Sequence, residues 1–376
     1  MQCSLPTIRQ IMYYVLLRKN NHTSIKAYKK MSYLKKVEIR KLFGEWDINW
    51  TLDPKVNILI GKNGSGKTTL LRLIKNILKS KQALFFASSD IESIKIELAD
   101  NHSIYARKDS KAIVEPNPPI KPLHQTIEER PLTRVYRIES NLFPQDNETR
   151  FSNVINLCYI NTFEMPLETL QVSENHKRYD EVQTELDIVL ADLITDWKSY
   201  LLKLKILAEQ VTVFFDDKIR AISSKESADK NDLQELKNLL NDKTDKMEEI
   251  NDYKDRFVKQ INALFSDSKK RIDFDQNNAI IFKNDTGKCL SVYELSAGEK
   301  QMLIILLTVL ICDNQPSLIL IDEPENSLHL AWQHKLIDMI QSFNDNCQLI
   351  IVTHAAGVFS KGWQDKITKM AEITTG

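Results

Sequence analysis

The octapeptide Gly61-Lys62-Asn63-Gly64-Ser65-Gly66-Lys67-Thr68 decides the fold of this chain. It follows an apolar run at residues 56–60, which is typical of a buried strand. Apolar residues then recur at helical spacing, at Leu70, Leu71, Ile74, Ile77 and Leu78. Glycines let successive backbone N–H groups turn inward on an anion, and the start of a helix adds the positive end of its dipole. The sequence therefore predicts a strand, a phosphate-binding loop and a helix, in that order.

A strand, a glycine-rich loop and a helix in this order form the P-loop unit that binds nucleoside triphosphates. Lys67 is expected to reach the β- and γ-phosphates, and the Thr68 hydroxyl is expected to ligate Mg²⁺. The predicted nucleotide-binding residues of the loop are Gly61, Asn63, Gly64, Ser65, Gly66, Lys67, Thr68 and Thr69. ATP and Mg²⁺ are therefore the expected cofactors.

The composition is that of a water-soluble globular protein. A chain of 376 residues with 42% hydrophobic and 27% charged residues has room for two or three domains. The formal net charge is zero, so the whole molecule does not attract nucleic acid or a membrane through its charge. The longest apolar run, residues 302–312, is too short to span a bilayer and predicts a buried helix. No membrane partner is expected.

The cysteines favour a reducing compartment. Their spacing shows no CxxC pair and no pairing with histidine, which argues against a zinc site and against a disulfide framework. We therefore predict a cytoplasmic protein in which most of these thiols are buried and unreactive. The cysteines are Cys3, Cys158, Cys289, Cys312 and Cys347.

The first residues have a different character from the rest of the chain. Residues 1–37 contain no Asp or Glu but carry eight Lys and Arg residues. We interpret residues 1–31 as a basic N-terminal extension, either a segment that docks a partner or a transit peptide, since transit peptides are amphipathic and poor in acidic residues. The first interpretation is favoured, and the domain itself is expected to begin near Met31.

Residues 32–170 and 273–376 are predicted to be the two halves of one nucleotide-binding domain. Alternating apolar and polar residues at 33–50 predict an antiparallel hairpin that leads into the P-loop strand. A proline-rich stretch at 116–122 is expected to be an exposed loop between further strands. The predicted fold class is α/β, with an antiparallel β subdomain beside the P-loop. Those further strands are expected at residues 93–98, 103–106, 134–138 and 154–160.

Residues 171–272 are predicted to be a helical insertion between these halves. Apolar positions from Val182 to Phe215 follow a period near eleven residues, and those from Leu233 to Leu264 approximate heptads, with Lys243 and Lys254 in the seam. Two helices of roughly 35 residues would each be about 50 Å long. They form either an antiparallel coiled-coil arm or a helical subdomain, and the mismatched periods favour the subdomain.

A strand that ends in two carboxylates completes the predicted phosphate site. The run Ser-Leu-Ile-Leu-Ile-Asp-Glu at 317–323 predicts a buried parallel strand whose carboxyl end opens on the ligand crevice. Asp322 is expected to hold Mg²⁺, and Glu323 is expected to polarise the attacking water. Neighbouring residues of a strand point to opposite faces, so these two carboxylates can serve different roles.

The segment Leu-Ser-Ala-Gly-Glu-Lys-Gln at 295–301 opens an apolar helix and predicts a second phosphate site, with Ser296, Gly298 and Glu299 as its residues. Since the P-loop of the same chain already holds one set of phosphates, the second site is expected to receive a nucleotide from another copy. The sequence therefore predicts a homodimer or a higher homo-oligomer.

These motifs resemble those of ABC-type ATPases. Leu-Ser-x-Gly-Glu before a strand that ends in Asp-Glu-Pro resembles their signature and Walker B motifs, and His354 after the strand at 349–353 is similar to their switch histidine. The run Asp-Glu-Pro-Glu-Asn-Ser-Leu-His at 322–329 is similar to the branch of SMC-like and RecF-like ATPases and of the OLD-family, Septu and PARIS anti-phage systems. The resemblance covers about residues 33–79 and 283–370. The best candidate for the family's Q-loop is residues 159–164, which contain no glutamine and are either that loop or a turn at the end of a strand.

The resemblance implies an ATPase that acts as an ATP-gated dimeric switch. Lys67, Glu323 and His354 would be its catalytic residues. No nuclease domain follows His354 in this sequence, so we expect an anti-phage ATPase that controls a separate effector, a nuclease or a toxin. The alternatives are a DNA repair or recombination ATPase that clamps DNA and, less favoured, a transporter ATPase. A further alternative is a scaffold that binds ATP without hydrolysing it. The presence of Glu323 and His354 argues against that alternative.

Overall fold

The computed structural model describes residues 33–79, 82–86, 91–114, 133–141, 155–161, 184–224 and 230–376. The basic extension and the proline-rich loop expected from the sequence lie outside these residues. The chain forms two compact units. We call residues 187–296 the helical unit, and the described residues before 187 and after 296 the sheet unit.

A five-stranded parallel sheet forms one layer of the sheet unit. Its strand order is β14-β3-β13-β12-β8. These strands are β3 Val56–Ile60, β8 Asn156–Asn161, β12 Ser317–Asp322, β13 Cys347–Val352 and β14 Ile367–Lys369. Every residue of β12 and β13 is buried, as expected for continuous apolar runs in a covered parallel sheet. Asp322 pairs with Val352 on one side and Asn161 on the other, so the carboxyl ends of three strands meet at one edge.

A seven-stranded antiparallel sheet forms the second layer, in the order β15-β2-β1-β5-β6-β7-β4. The predicted hairpin is confirmed, because its two strands pair antiparallel from Lys36 opposite Thr51. The core of the sheet unit includes residues of both sheets, among them Trp50, Leu59 and Leu320. The strands are β1 Leu34–Leu42, β2 Trp46–Thr51, β4 Gln82–Phe86, β5 Ser93–Leu98, β6 Ser103–Val114, β7 Thr133–Ser140 and β15 Thr374–Thr375.

The helices follow the apolar periodicity of the sequence. They are α1 Lys67–Lys79, α2 Glu185–Ser223, α3 Lys230–Leu264, α4 Ala297–Ile311, α5 Leu330–Gln333, α6 Leu336–Phe343, α7 Ala356–Phe359 and α8 Met370–Ile373. The predicted apolar face of α1 is fully buried, and α4 is buried on nearly all sides. Within the described ranges, no helix combines the length and the apolarity needed to cross a bilayer.

The helical unit consists of two long helices and a small sheet. The prediction of two helices is confirmed, with 39 residues in α2 and 35 in α3. Its antiparallel sheet contains β9 Lys270–Phe274, β10 Ile280–Asn284 and β11 Cys289–Leu290. Trp197 of α2 is fully buried and stacks on Phe274, with ring centroids 5.7 Å apart. The seam position of Lys243 is explained by an ion pair between the helices, since its Nζ lies 2.8 Å from Asp216 Oδ1.

The observed architecture confirms the predicted fold class. An α/β unit with a P-loop carries an antiparallel β subdomain, and a pair of long helices is inserted in the chain between its two parts. One expectation is refined, because the strand that begins at Ser103 extends to Val114 rather than ending at Ala106.

Candidate functional site

The loop between β3 and α1 has a backbone that only glycine adopts easily. Gly64 and Gly66 have φ angles of +77° and +90°, in the left-handed region. A Cβ at Gly61 would lie 2.9 Å from the Cβ of Met370, and one at Gly66 would lie 3.0 Å from the Phe43 ring. The loop therefore packs against its neighbours without side chains at Gly61 and Gly66, a backbone arrangement in which N–H groups can face an anion.

Lys67 is the buried cation of the loop. Its side chain folds back so that Nζ donates to the carbonyl oxygens of Gly61 at 3.0 Å and Lys62 at 3.2 Å. Nζ also lies 2.7 Å from Nε2 of His354. Burial lowers the pKa of Lys67, against the attraction of Glu323 and other nearby carboxylates. Burial and the Lys67 charge likewise lower the pKa of His354, so this imidazole is neutral at pH 7.

Thr68 and Asp322 form a pair of hard oxygen donors. The Thr68 hydroxyl donates to Asp322 Oδ1 at 3.0 Å, and Asp322 is fully buried at the carboxyl end of β12. Burial raises the pKa of Asp322, while the hydrogen bond from Thr68 and the charge of Arg72 oppose the rise. A hydroxyl and a carboxylate beside a phosphate-binding loop fit Mg²⁺, which takes one or two protein oxygens and completes its shell with phosphate and water.

Glu323 leaves the strand in a strained conformation. Its φ is +49°, a left-handed value that costs a non-glycine residue about 1–2 kcal/mol. β12 ends at Asp322, so the expected strand alternation does not extend to Glu323, whose left-handed backbone leaves the strand direction. Glu323 Oε1 lies 3.1 Å from His354 Nε2. Burial and the neighbouring Glu325 raise the pKa of Glu323 to about 8, which keeps it largely protonated at neutral pH in this arrangement.

These groups surround one pocket of about 450 Å³. Most of its walls are residues expected from the sequence, and two are not. Phe43, in the turn between β1 and β2, is 37% exposed and packs edge-on against Trp46. Asn326 lies in the turn at residues 324–327, directly after Glu323. The lining residues are Phe43, Asn63, Gly64, Gly66, Lys67, Thr68, Thr69, Glu323, Asn326 and His354.

Two expected residues of the P-loop face a different space. Gly61 and Ser65 border a second, mostly apolar cavity of about 650 Å³, whose walls include Trp46, Phe359 and Met370. His354 touches both cavities. The roles predicted for Gly61 and Ser65 in nucleotide binding therefore rest on the backbone of the loop rather than on a position in the pocket wall.

The signature residues lie at the start of α4. Ser296 is exposed, whereas Gly298 and Glu299 are buried. A Cβ at Gly298 would lie 2.3 Å from the carbonyl oxygen of Ser327, so this glycine packs on the loop that follows Glu323. Neither Gly298 nor Glu299 lines the 450 Å³ pocket of its own chain. The nucleotide-binding roles of Ser296, Gly298 and Glu299 stay predictions.

The first half of the candidate Q-loop, residues 159–161, belongs to strand β8 and ends beside Asp322. Asn161, the last residue of β8, pairs in register with Asp322. Residues 162–164 of the candidate lie outside the described residues. The topology therefore places the end of β8 next to the expected Mg²⁺ ligand, and whether a Q-loop or a strand-end turn follows stays a prediction.

Comparison with known proteins identifies a family and several similar folds. Residues 56–360 match the family described as "AAA domain, putative AbiEii toxin, Type IV TA system". No curated protein matches the chain. A solved SMC head domain with an extended coiled coil, bound to the C-terminal domain of ScpA from Pyrococcus furiosus, is 14% identical with a TM-score of 0.42, covering 88% of this chain and 92% of that one. The SMC head domain from Thermotoga maritima is 13% identical with a TM-score of 0.38, covering 87% and 91%. An SMC head bound to the C-winged helix domain of ScpA is 14% identical with a TM-score of 0.40, also covering 87% and 91%.

Proposed function

The chain belongs to the AAA-domain family of the AbiEii toxin type, and from this premise we propose that it binds ATP with Mg²⁺ and hydrolyses ATP to ADP and phosphate. The observation that carries the proposal is the convergence of five side chains on one pocket or its edge. They are Lys67, Thr68, Asp322, Glu323 and His354.

Each of these side chains has a task in phosphoryl transfer, which needs positioning and charge neutralisation more than covalent chemistry. Lys67 turns from the carbonyl oxygens of its own loop to the phosphates. Thr68 and Asp322 hold Mg²⁺, which when bound neutralises charge on the phosphate oxygens. Glu323, once ionised, orients the attacking water, and His354, which lies between Lys67 and Glu323, would contact the γ-phosphate.

The second part of the proposal is that ATP closes a homodimer. In one chain Asn63 and Gly64 are exposed at the rim of the pocket, and Ser296 is exposed elsewhere on the surface. A partner copy would place its Ser296 and Gly298 over the phosphates held by Lys67. ATP then joins the two copies and hydrolysis separates them, so the chain works as a switch between two states.

The third part concerns the use of the switch. The family description names a toxin of a type IV toxin–antitoxin system. From that description we infer a role in defence, and we propose in addition that closure and reopening of the dimer control a separate effector, a nuclease or a toxin. The long helices α2 and α3 are the candidate output of the switch.

Glu323→Gln tests hydrolysis and dimer closure together. With ATP and Mg²⁺ this variant should keep nucleotide binding and lose turnover by about 10²- to 10⁴-fold, the usual contribution of a positioned general base. Light scattering should then show the dimer accumulating. The matched control is Glu235→Gln, which removes the charge of an exposed glutamate on α3 and should behave as wild type. Normal turnover by Glu323→Gln would contradict the role of Glu323.

A further inference from the structure

Glu325 holds the backbone of the loop that carries His354. Its Oε1 accepts the N–H of His354 at 2.7 Å and the N–H of Ala355 at 2.9 Å. One carboxylate oxygen therefore fixes two consecutive amides just after β13. Hydrogen bonds from N–H groups to an ionised acceptor are roughly twice as strong as neutral ones.

The other backbone hydrogen bonds described for this loop are made by the residues on either side of His354. The N–H of Thr353 donates to Leu59 O at 3.2 Å, and Ala355 N also donates to Thr353 Oγ1 at 3.0 Å. Among the residues that the structure describes, the backbone N–H of His354 donates to the Glu325 carboxylate. Glu325 lies in the loop after β12, so its hydrogen bonds connect the ends of two neighbouring strands.

The position of this backbone decides where the imidazole lies. His354 Nε2 is 2.7 Å from Lys67 Nζ and 3.1 Å from Glu323 Oε1. The His354 side chain is 36% exposed, so packing alone holds it weakly. A shift of the His354 backbone by 1 Å would therefore break one or both of these contacts.

We propose that Glu325 is a positioning residue that keeps His354 between Lys67 and Glu323. This inference rests on the proposed ATPase function, because the position of the His354 imidazole matters for its contact with the γ-phosphate of ATP. Glu325 acts on His354 through the loop backbone, and separately its carboxyl helps to raise the pKa of Glu323.

Two substitutions at Glu325 isolate its hydrogen-bond acceptor, because both remove the charge that raises the pKa of Glu323 and only one removes the oxygen. Glu325→Gln keeps an oxygen that accepts both N–H groups, whereas Glu325→Ala removes it. Glu325→Ala should lower kcat by on the order of 10²-fold, the cost of about 1 Å of misplacement, with an ATP Kd close to that of wild type. Glu325→Gln should restore most of kcat. Wild-type turnover by Glu325→Ala, or a Glu325→Gln variant as slow as Glu325→Ala, would overturn the proposal.

Amide hydrogen exchange of a peptide that covers residues 352–357 tests the tether without any hydrolysis. Exchange should be faster in Glu325→Ala than in wild type, and Glu325→Gln should resemble wild type, because an N–H with a lost partner opens more often. Equal exchange in all three proteins would refute the tether. If exchange follows this pattern and wild type hydrolyses no ATP, the tether stands and the proposed ATPase function fails.

A second inference concerns two thiols away from the pocket. Cys158 lies on β8 and Cys312 directly follows α4, and their Sγ atoms are 3.0 Å apart. A disulfide needs about 2.05 Å, so an approach of about 1 Å would join them. The hydrogen bond from Cys158 lowers the pKa of buried Cys312 against the effect of its burial, with smaller contributions from Ser317 and Asn156, and the thiolate is the reactive form.

We propose that Cys158 and Cys312 form a reversible oxidation site for a peroxide. The Cys312 thiolate attacks one oxygen of hydrogen peroxide, the O–O bond breaks, and a sulfenic acid forms while the leaving hydroxide takes a proton from solvent to become water. The Cys158 sulfur then attacks the sulfenic sulfur, the S–O bond breaks, and a disulfide and a second water result. The two thiols are oxidised and the peroxide is reduced. The disulfide would tie β8 to the end of α4.

Oxidation of the whole protein with hydrogen peroxide, followed by alkylation and non-reducing peptide mapping, tests this site. A peptide that links Cys158 to Cys312 should appear, disappear with dithiothreitol, and persist in the control Cys289→Ser, which changes an exposed thiol. Burial raises the pKa of Cys347 to about 12, so this thiol should stay reduced in the same sample. Absence of the linked peptide, or preferential oxidation of Cys347, would overturn the proposal.

Discussion

Gly298→Ala puts a methyl group where the structure has no room for it. The new Cβ would lie 2.3 Å from the carbonyl oxygen of Ser327, and Cβ contacts under 3.0 Å are essentially never seen. The Ser327 carbonyl must therefore retreat by about 0.7 Å, the difference between 2.3 and 3.0 Å. Ser327 already has a left-handed φ of +63°, so its backbone has little freedom to adjust.

Two energies compete in this variant. Overpacking a close contact costs about 1–3 kcal/mol, whereas replacing glycine by alanine in a helix gains up to about 1 kcal/mol. The contact at 2.3 Å is with a backbone atom, which cannot rotate away, so the overpacking cost exceeds the gain in helix propensity. We expect a net loss of about 1–2 kcal/mol in the free energy of unfolding. Because Ser327 shares its loop with Glu323 and Asn326, ATP turnover should also fall by on the order of 10²-fold.

Urea denaturation and steady-state ATP turnover measure the two effects. Gly287→Ala is the matched control, because Gly287 has a φ of +80° and no atom lies within 4 Å of its Cβ position. That control should lose about 1–2 kcal/mol through backbone strain alone and keep its turnover. If Gly298→Ala keeps the stability and turnover of wild type, the close packing of Gly298 on Ser327 is refuted.

The other predictions concern single side chains of the pocket. Lys67→Ala should weaken ATP binding about 10- to 100-fold, since hydrogen bonds to a charged group contribute about 1.5–3 kcal/mol; an unchanged Kd in a fluorescence titration would contradict its role. Thr68→Ala should raise the Mg²⁺ concentration needed for half-maximal turnover, and an unchanged Mg²⁺ dependence would remove Thr68 from the metal site. Because burial and Lys67 lower the pKa of folded His354, the unfolded chain binds this proton first as the pH falls. The free energy of unfolding of wild type should therefore fall more than that of His354→Gln between about pH 7.5 and 5.5, and equal slopes in urea denaturation would contradict the lowered pKa.

The sequence predicts the parts of the site that depend on local chemistry. The P-loop is recognisable because Gly64 and Gly66 meet a local need for left-handed backbone, and the flanking apolar runs identify a strand and a helix. Asp322 is recognisable because a carboxylate at the end of a strand that is otherwise mostly apolar and buried is costly unless it serves a site.

Tertiary contacts supply the parts that the sequence did not predict. Phe43 reaches the pocket because the turn between β1 and β2 folds over Gly66, which no periodicity indicates. Glu325 and His354 come together only when the ends of β12 and β13 are neighbours in the sheet. The left-handed turn at Glu323 is likewise invisible in a motif that is read as a continuing strand.

A complementation experiment tests most directly whether the reaction centre is shared between two copies. Lys67→Ala removes the P-loop side, and Ser296→Arg blocks the signature side at an exposed position that tolerates a larger side chain. Each variant alone should be inactive. Mixed in equal amounts, they should regain ATP turnover, because a heterodimer pairs the intact Lys67 of one copy with the intact Ser296 of the other. Two results together would contradict a shared centre. The mixture would stay inactive, and wild type would turn over ATP at the same specific rate at every protein concentration.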